Sequence, residues 1–270
     1  MTIPLLAQFK RSLFLGLLAA THPPTHRPEQ DEWEARVLPH TAIEPLATHL
    51  WHVTGVLGDR LPPREMVLYR LPDTTLLIHS AIALSQSEMD RLESLGNPTV
   101  LIVPNRIHRL DALLYKQRYP DLQIVCPAAA RSFVEAVVPV DGLAEDILPN
   151  YGIVCHSPAG IYDQELAYEL PLPSGRALVF TDILFNLTDT YLDQHIPNRG
   201  AVFNWLGASG YFGITRFGRW FFLRDRTAYR QWLEQLADNL PDLQAISVAH
   251  GEPIVENCPQ RLREAAGRLL

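Results

Sequence analysis

The chain has 270 residues, of which 47% are hydrophobic and 20% charged, as expected for a soluble globular protein able to bury a full core. Its net charge is −7, its only lysines are Lys10 and Lys116, and its arginines are scattered among acidic residues, so no basic face offers itself to nucleic acid. The three cysteines, Cys126, Cys155 and Cys258, are odd in number and lack CxxC spacing, which argues against a disulfide framework or a cysteine zinc site. Cys126 and Cys155 lie in apolar runs and read as small buried hydrophobes.

The elements follow in chain order. Lys10 and Arg11 precede the apolar run Leu13–Ala20, the outline of a signal peptide. The run is short and Ala19-Ala20-Thr21 is a weak cleavage site, so a short amphipathic helix on a cytoplasmic protein is the plainer reading, with the signal left open beside it. No stretch is long enough to span a bilayer, and no membrane partner is expected. Residues 21–40 are Pro-rich and polar, so residues 1–42 read as a helix plus an irregular arm ahead of one domain over 43–270. His49–Val53, Met66–Leu71 and Thr75–His79 read as strands, the last two joined by a turn at Pro72-Asp73. Ser85–Leu95 has helical spacing, with Ser85 as N-cap and Gly96-Asn97-Pro98 as the stop. Thr99–Val103 is a continuous apolar run, the mark of a strand buried on both faces. Arg109–Tyr119 predicts a helix, Leu122–Val125 a strand and Ala128–Val137 a helix. In the second half Ile153–Cys155, Gln164–Leu170 and Ala177–Phe180 predict strands, the last two separated by a turn over Pro171–Arg176. Arg226–Leu240 predicts an amphipathic helix, Leu243–Ala249 a strand and Pro259–Leu270 a final helix. Antiparallel strands followed by strand–helix alternation, twice over, suit two packed sheets with helices outside.

Three polar residues stand where buried strands end: His108 after Thr99–Val103, Asp182 after Ala177–Phe180, and His250 after Leu243–Ala249. Strand ends are where α/β proteins build sites. Two imidazoles and a carboxylate form a sensible set for one divalent ion, zinc or iron, with a position left for water or substrate. Each residue also has an ordinary reading, as a cap or a satisfied core group, in which no cofactor is bound.

The segments LWHV, LLIHSAIAL, VPNRIHRL, ALVFTDILFN and AHGEPI resemble an uncharacterised branch of the metallo-β-lactamase superfamily. The resemblance covers roughly residues 43–270. It implies an α+β fold, the four-layer αββα sandwich. The family's HxHxDH motif falls on Val103–His108, where Val103, Asn105 and Ile107 replace its first two His and its Asp, and only His108 survives. Ser157-Pro158-Ala159-Gly160 is similar to TPGH, with Gly160 at the third His; Asp182 aligns with the bridging Asp and His250 with the last ligand. The first metal site is thus expected to be lost, and the second reduced to His108, Asp182 and His250.

Two readings follow. One is a single-metal hydrolase of a small ester, lactone or phosphoester. The other is a metal-free relic of the fold that binds a small molecule or a protein. Asn105, Arg106 and Arg109 flank His108 and are the candidate substrate-binding residues, the arginines for an anionic group. Asn105 reads chiefly as a structural residue bonding the loop backbone. Glu165 is a candidate stand-in carboxylate near the lost third His. His52 and His79 read as strand residues, His156 as a group close to the site if the alignment slips, and His195 as a loop residue without a role. No nucleophile triad is visible.

Overall fold

The computed structural model describes residues 33–57, 61–162, 165–196 and 210–270. The expected N-terminal helix and signal outline lie outside the described residues. Among those described, no helix is long and apolar enough to cross a membrane.

The first half folds into a seven-stranded sheet whose strands stand in chain order: β1 Glu44–Ala47, β2 Leu50–Gly55, β3 Arg64–Arg70, β4 Leu76–His79, β5 Pro98–Ile102, β6 Gln123–Cys126 and β7 Gly142–Leu143. β1 to β4 pair antiparallel and β4 to β7 parallel. Helices Gln86–Leu95 and Ala112–Arg118 lie between the parallel strands in sequence, as parallel neighbours require a crossover. A second sheet has the order β13–β10–β9–β8, made of β8 Val154–His156, β9 Ala167–Leu172, β10 Gly175–Val179 and β13 Leu243–Ser247. There β10 runs parallel to β13 and antiparallel to β9. A small ribbon joins β11 Phe185–Leu187 to β12 Tyr211–Gly213.

Strand alternation sorts the core into layers. Val100 and Ile102 of β5 pack with Ala177 and Val179 of β10 between the two sheets. Leu101 and Val103 turn to the other face, among Met89, Leu92 and Tyr115 of the first-half helices. Leu178 and Phe180 turn the opposite way, toward Tyr229, Leu233 and Leu262 of helices Arg226–Asn239 and Cys258–Gly267. The result is the expected α+β sandwich of helices, sheet, sheet and helices. From Trp33 the presumed arm is tied down: Trp33 Nε1 donates to Leu84 O at 2.7 Å and its ring meets Tyr115 at 5.1 Å. Cys126 and Cys258 are buried, Cys155 is partly buried, and all three are free thiols.

Three expectations shift. The helix expected from Arg109 starts at Ala112, because the Asn105 side chain caps the N–H groups of Ile107 and His108 and holds a loop in its place. The helix expected over Ala128–Val137 is a 3₁₀ turn, Ala128–Ala130, running into the single helical turn Arg131–Val134. Strands β9 and β10 extend over most of the turn foreseen at Pro171–Arg176, which narrows to a tight hairpin with Leu172 paired to Gly175.

Candidate metal centre

His108, Asp182 and His250 come from three separate strand ends and meet. Their nearest donor atoms all lie within 4.8 Å of one another, and all three residues are buried. His108 Nε2 is 3.3 Å from Asp182 Oδ1, and His250 Nε2 is 3.5 Å from the same oxygen. The two imidazole centroids are 5.1 Å apart.

Each donor is aimed by a partner behind it. His250 Nδ1 lies 2.8 Å from the carbonyl of Pro63, which only accepts, so Nδ1 carries the proton and Nε2 presents its lone pair. Phe185 stacks on the His250 ring at 5.4 Å and 9°. Gly251 follows at φ +116°, and a Cβ there would sit 2.2 Å from Asn186 O, so only glycine lets the chain turn beside β11. His108 Nδ1 is 3.0 Å from Ser80 Oγ, just past β4. Asn105 orients the carboxylate: its Nδ2 donates to Asp182 Oδ2 at 2.8 Å, leaving Oδ1 to both imidazoles. The same Nδ2 donates to Glu165 Oε2 at 3.1 Å, while Glu165 accepts the backbone N–H of Asp182 and of Ile183.

Burial opposes charge on Asp182, but the charge and hydrogen bond of His108, the charge of His250 and the Asn105 amide outweigh it and hold the carboxyl below its usual range. Glu165 moves the other way, raised by burial first and then by Asp182. Burial, with His108 nearby, depresses His250 to about 4, so its imidazole is neutral at neutral pH. A neutral nitrogen and an ionised carboxylate are the forms that bind metal.

The spacing fits one ion. Donors about 2.0–2.1 Å from a common centre at the tetrahedral angle stand about 3.3–3.4 Å apart. The two Nε2–Oδ1 distances, 3.3 and 3.5 Å, match that edge. At the first family site Val103 is packed among the helix-side core residues, and Asn105 has its amide engaged by Asp182, Glu165 and the backbone of Ile107 and His108. Ile107, where the second site would have its Asp, packs against the opposite core. Gly160, at φ +75°, presses its backbone on helix Arg226–Asn239, where a Cβ would meet Asp225 O at 2.2 Å.

The remaining candidates fall elsewhere. Arg109 donates to Phe133 O, and the Arg106 guanidinium lies over the Phe133 ring at 4.6 Å from its centroid. His52 pairs with Glu65 at 2.9 Å, His156 with Glu169 at 2.8 Å, and His195 packs on Tyr191 at 4.4 Å. His79 is buried with neither ring nitrogen hydrogen-bonded, its ring edge-on to Tyr168 at 5.5 Å. Sequence reasoning missed Ser80, the Pro63 carbonyl and Phe185. Ser80 closes an apolar strand and so carried a signal; the role of a backbone carbonyl carries none.

A cavity of about 440 Å³ has Glu165 among its lining residues.

No family model and no curated protein matches the chain. Solved structures do. The metallo-β-lactamase FIM-1 from Pseudomonas aeruginosa, in a mono-zinc form, aligns over 86% of this chain and 97% of its own at 9% identity and a TM-score of 0.54. A metallo-β-lactamase from Erythrobacter litoralis, with β-mercaptoethanol in its active site, aligns over 84% and 96% at 12% identity and a TM-score of 0.56. One from Hirschia baltica aligns over 84% and 98% at 10% identity and 0.52. With nearly the full length of each neighbour covered, the chain has the metallo-β-lactamase fold.

Proposed function

We infer that the protein is a hydrolase of a small ester, lactone or phosphoester that works with a single divalent ion, zinc or iron. The observation that carries this reading is the meeting of His108, Asp182 and His250, with Asp182 Oδ1 at tetrahedral-edge spacing from both imidazoles and each residue oriented from behind. These three residues would hold the ion. A divalent ion there supplies Lewis acidity, polarising a carbonyl or phosphoryl oxygen and acidifying water near neutral pH. The protein's own groups do the rest. Asp182 contributes the negative charge, His250 contributes a neutral nitrogen, and Asn105 keeps one carboxylate oxygen turned inward. Glu165, raised by burial and by Asp182, keeps its proton more readily than an ordinary carboxyl and braces the donor set through the Asp182 backbone N–H and the Asn105 amide. A second ion finds no ligand at Val103 or Gly160, and Asn105, the remaining position of that site, has its amide engaged by Asp182, Glu165 and the loop backbone. Three free thiols accord with a reducing, cytoplasmic setting.

The test is elemental analysis of protein purified without chelator, joined to melting scans with and without chelator for the wild type and for His250→Ala. One ion per chain and a chelator-sensitive melt in the wild type alone support the reading, since an ion bound only to the native state raises its stability. Identical melts with no metal present leave the metal-free binding relic as the answer.

A further inference from the structure

The short helix Arg216–Phe221 buries one side and exposes the other. Thr215 caps it, accepting from Gly218 N at 2.9 Å. Gly218 and Phe221 are buried, and a Cβ on Gly218 would meet Ile214 Cγ1 at 2.9 Å, so the helix lies close against the body of the protein. Arg216, Arg219 and Trp220, spaced i, i+3 and i+4, share the outer side. Trp220 is 50% exposed, its ring set edge-on to Phe221 at 4.6 Å.

The end of the last helix completes the same patch. Arg219 Nη2 donates to the carbonyl of Arg268 at 3.0 Å, and the Arg268 guanidinium lies over the Tyr211 ring at 4.5 Å from its centroid. Leu269 is buried, whereas Leu270 is 82% exposed. Arg230, Arg261 and Arg263 are each paired with an acidic side chain of their own region. Arg216, Arg219 and Arg268 are not: among the described residues no carboxylate stands within ion-pair distance of them. On a chain of net charge −7, three uncompensated arginines around two exposed apolar side chains make a face of opposite sign to the rest.

We propose that this face docks the protein on an anionic lipid bilayer, with Trp220 and Leu270 entering the headgroup region and Arg216, Arg219 and Arg268 meeting lipid phosphates. Tryptophan settles at the depth where a ring is half in hydrocarbon and its N–H is wet, and arginines beside it add attraction to anionic headgroups. A nucleic acid would satisfy the arginines but offer Leu270 no apolar surface. A bilayer supplies phosphate and hydrocarbon together and requires no matching shape. The expectation of no membrane partner rested on the lack of a spanning run, and an interfacial contact needs none. The proposal stands apart from the hydrolase reading and does not depend on it.

The experiment is co-sedimentation of the full chain with vesicles of phosphatidylcholine alone and of phosphatidylcholine carrying about 30% phosphatidylserine. The wild type is compared with Trp220→Ala, with the double variant Arg216→Gln and Arg268→Gln, and with a control of equal charge change, Arg91→Gln and Arg131→Gln. All these positions are exposed, so the variants keep the fold. The wild type should bind the anionic vesicles at least about 10-fold more tightly than the neutral ones, and about 0.5 M salt should abolish most of the difference. Each arginine is worth about 5-fold, so the double variant should lose about 30-fold, and Trp220→Ala about 10-fold. The control should stay within about 2-fold of the wild type. Absence of binding to anionic vesicles, or a loss in the control equal to that in the Arg216 and Arg268 double variant, overturns the proposal. So does binding untouched by Trp220→Ala. Tighter binding of polyuridylate or polyglutamate than of the anionic vesicles, lost in the same arginine variant, would give the face to a soluble polyanion and overturn the lipid assignment.

Discussion

Ser80 Oγ stands 3.0 Å from His108 Nδ1, at the end of the strand that runs beside β5. A histidine that turns Nε2 toward a metal needs its other nitrogen held, and here a hydroxyl holds it. Ser80 is 1% exposed, so removal of the hydroxyl leaves that nitrogen without a replacement from solvent. Ser80→Ala should weaken zinc binding by about 10-fold or more while the fold persists. Competition against a chromogenic chelator measures it; equal affinities in wild type and variant would show that Ser80 has no part in aiming His108.

Arg64 and Asp111 form a buried ion pair that ties the segment carrying Pro63 to the start of helix Ala112–Arg118. Asp111 also accepts from Ala83 N at 3.1 Å and from Arg36 at 3.3 Å, while Arg64 donates to Ala81 O at 2.9 Å. The cluster thus fixes the Pro63 carbonyl, which orients His250, and the loop that bears His108. Removing one partner leaves the other charge buried, so Asp111→Ala should cost about 3–5 kcal/mol. Denaturant unfolding reads this directly. A loss under about 1 kcal/mol would mean that water reaches Arg64 and the pair is not a structural tie.

Gly251 follows His250 beyond the end of β13 and lies with its backbone against Asn186 of β11. Alanine there meets Asn186 O and also demands φ +116°. Gly251→Ala should cost about 3 kcal/mol and displace His250, so that metal affinity falls together with stability. An unchanged melting temperature would contradict the close approach of the two backbones.

Much of this was legible in the sequence, for physical reasons that differ by residue. The apolar runs over β5, β10 and β13 marked buried strands, and His108, Asp182 and His250, a few residues beyond their ends, come together in the fold. Asn105 was legible as a loop-bonding residue, because a short amide two or three positions before free N–H groups is a local motif. Its second role, bridging Asp182 and Glu165, depends on residues 77 and 60 positions away and had no local signature. The anion-binding expectation for Arg106 and Arg109 came from adjacency to His108. Their placement depends on Phe133, a residue of the short helical turn after β6, whose ring and carbonyl engage them. The start of the helix at Ala112 was missed for a related reason: the capped loop ahead of it satisfies N–H groups that a longer helix would have used.

His79 tests the inside of the sandwich. It faces the layer between the sheets, in the row that pairs Val67 with His79 and His79 with Ile102. Across from it is the ring of Tyr168. Burial, reinforced by the nearby charge of His108, lowers its pKa from 6.5 to about 3. The folded protein therefore binds fewer protons at this site than the unfolded chain between pH 6.5 and pH 3. The sign follows: the neutral His79 costs nothing above the unfolded pKa, and stability is lost as pH falls below it, down to the folded value. A single such group contributes a slope of about 1.4 kcal/mol per pH unit, hence roughly 2–3 kcal/mol between about pH 6.5 and about pH 4.5. His79→Phe keeps a ring against Tyr168 and removes the titration. Unfolding by urea across that range should show the wild type losing roughly 2–3 kcal/mol more than the variant, with the two closest to their neutral-pH difference above about pH 7. Parallel curves would show that His79 titrates in the folded state as it does in water, and that the layer between the sheets admits solvent at that point.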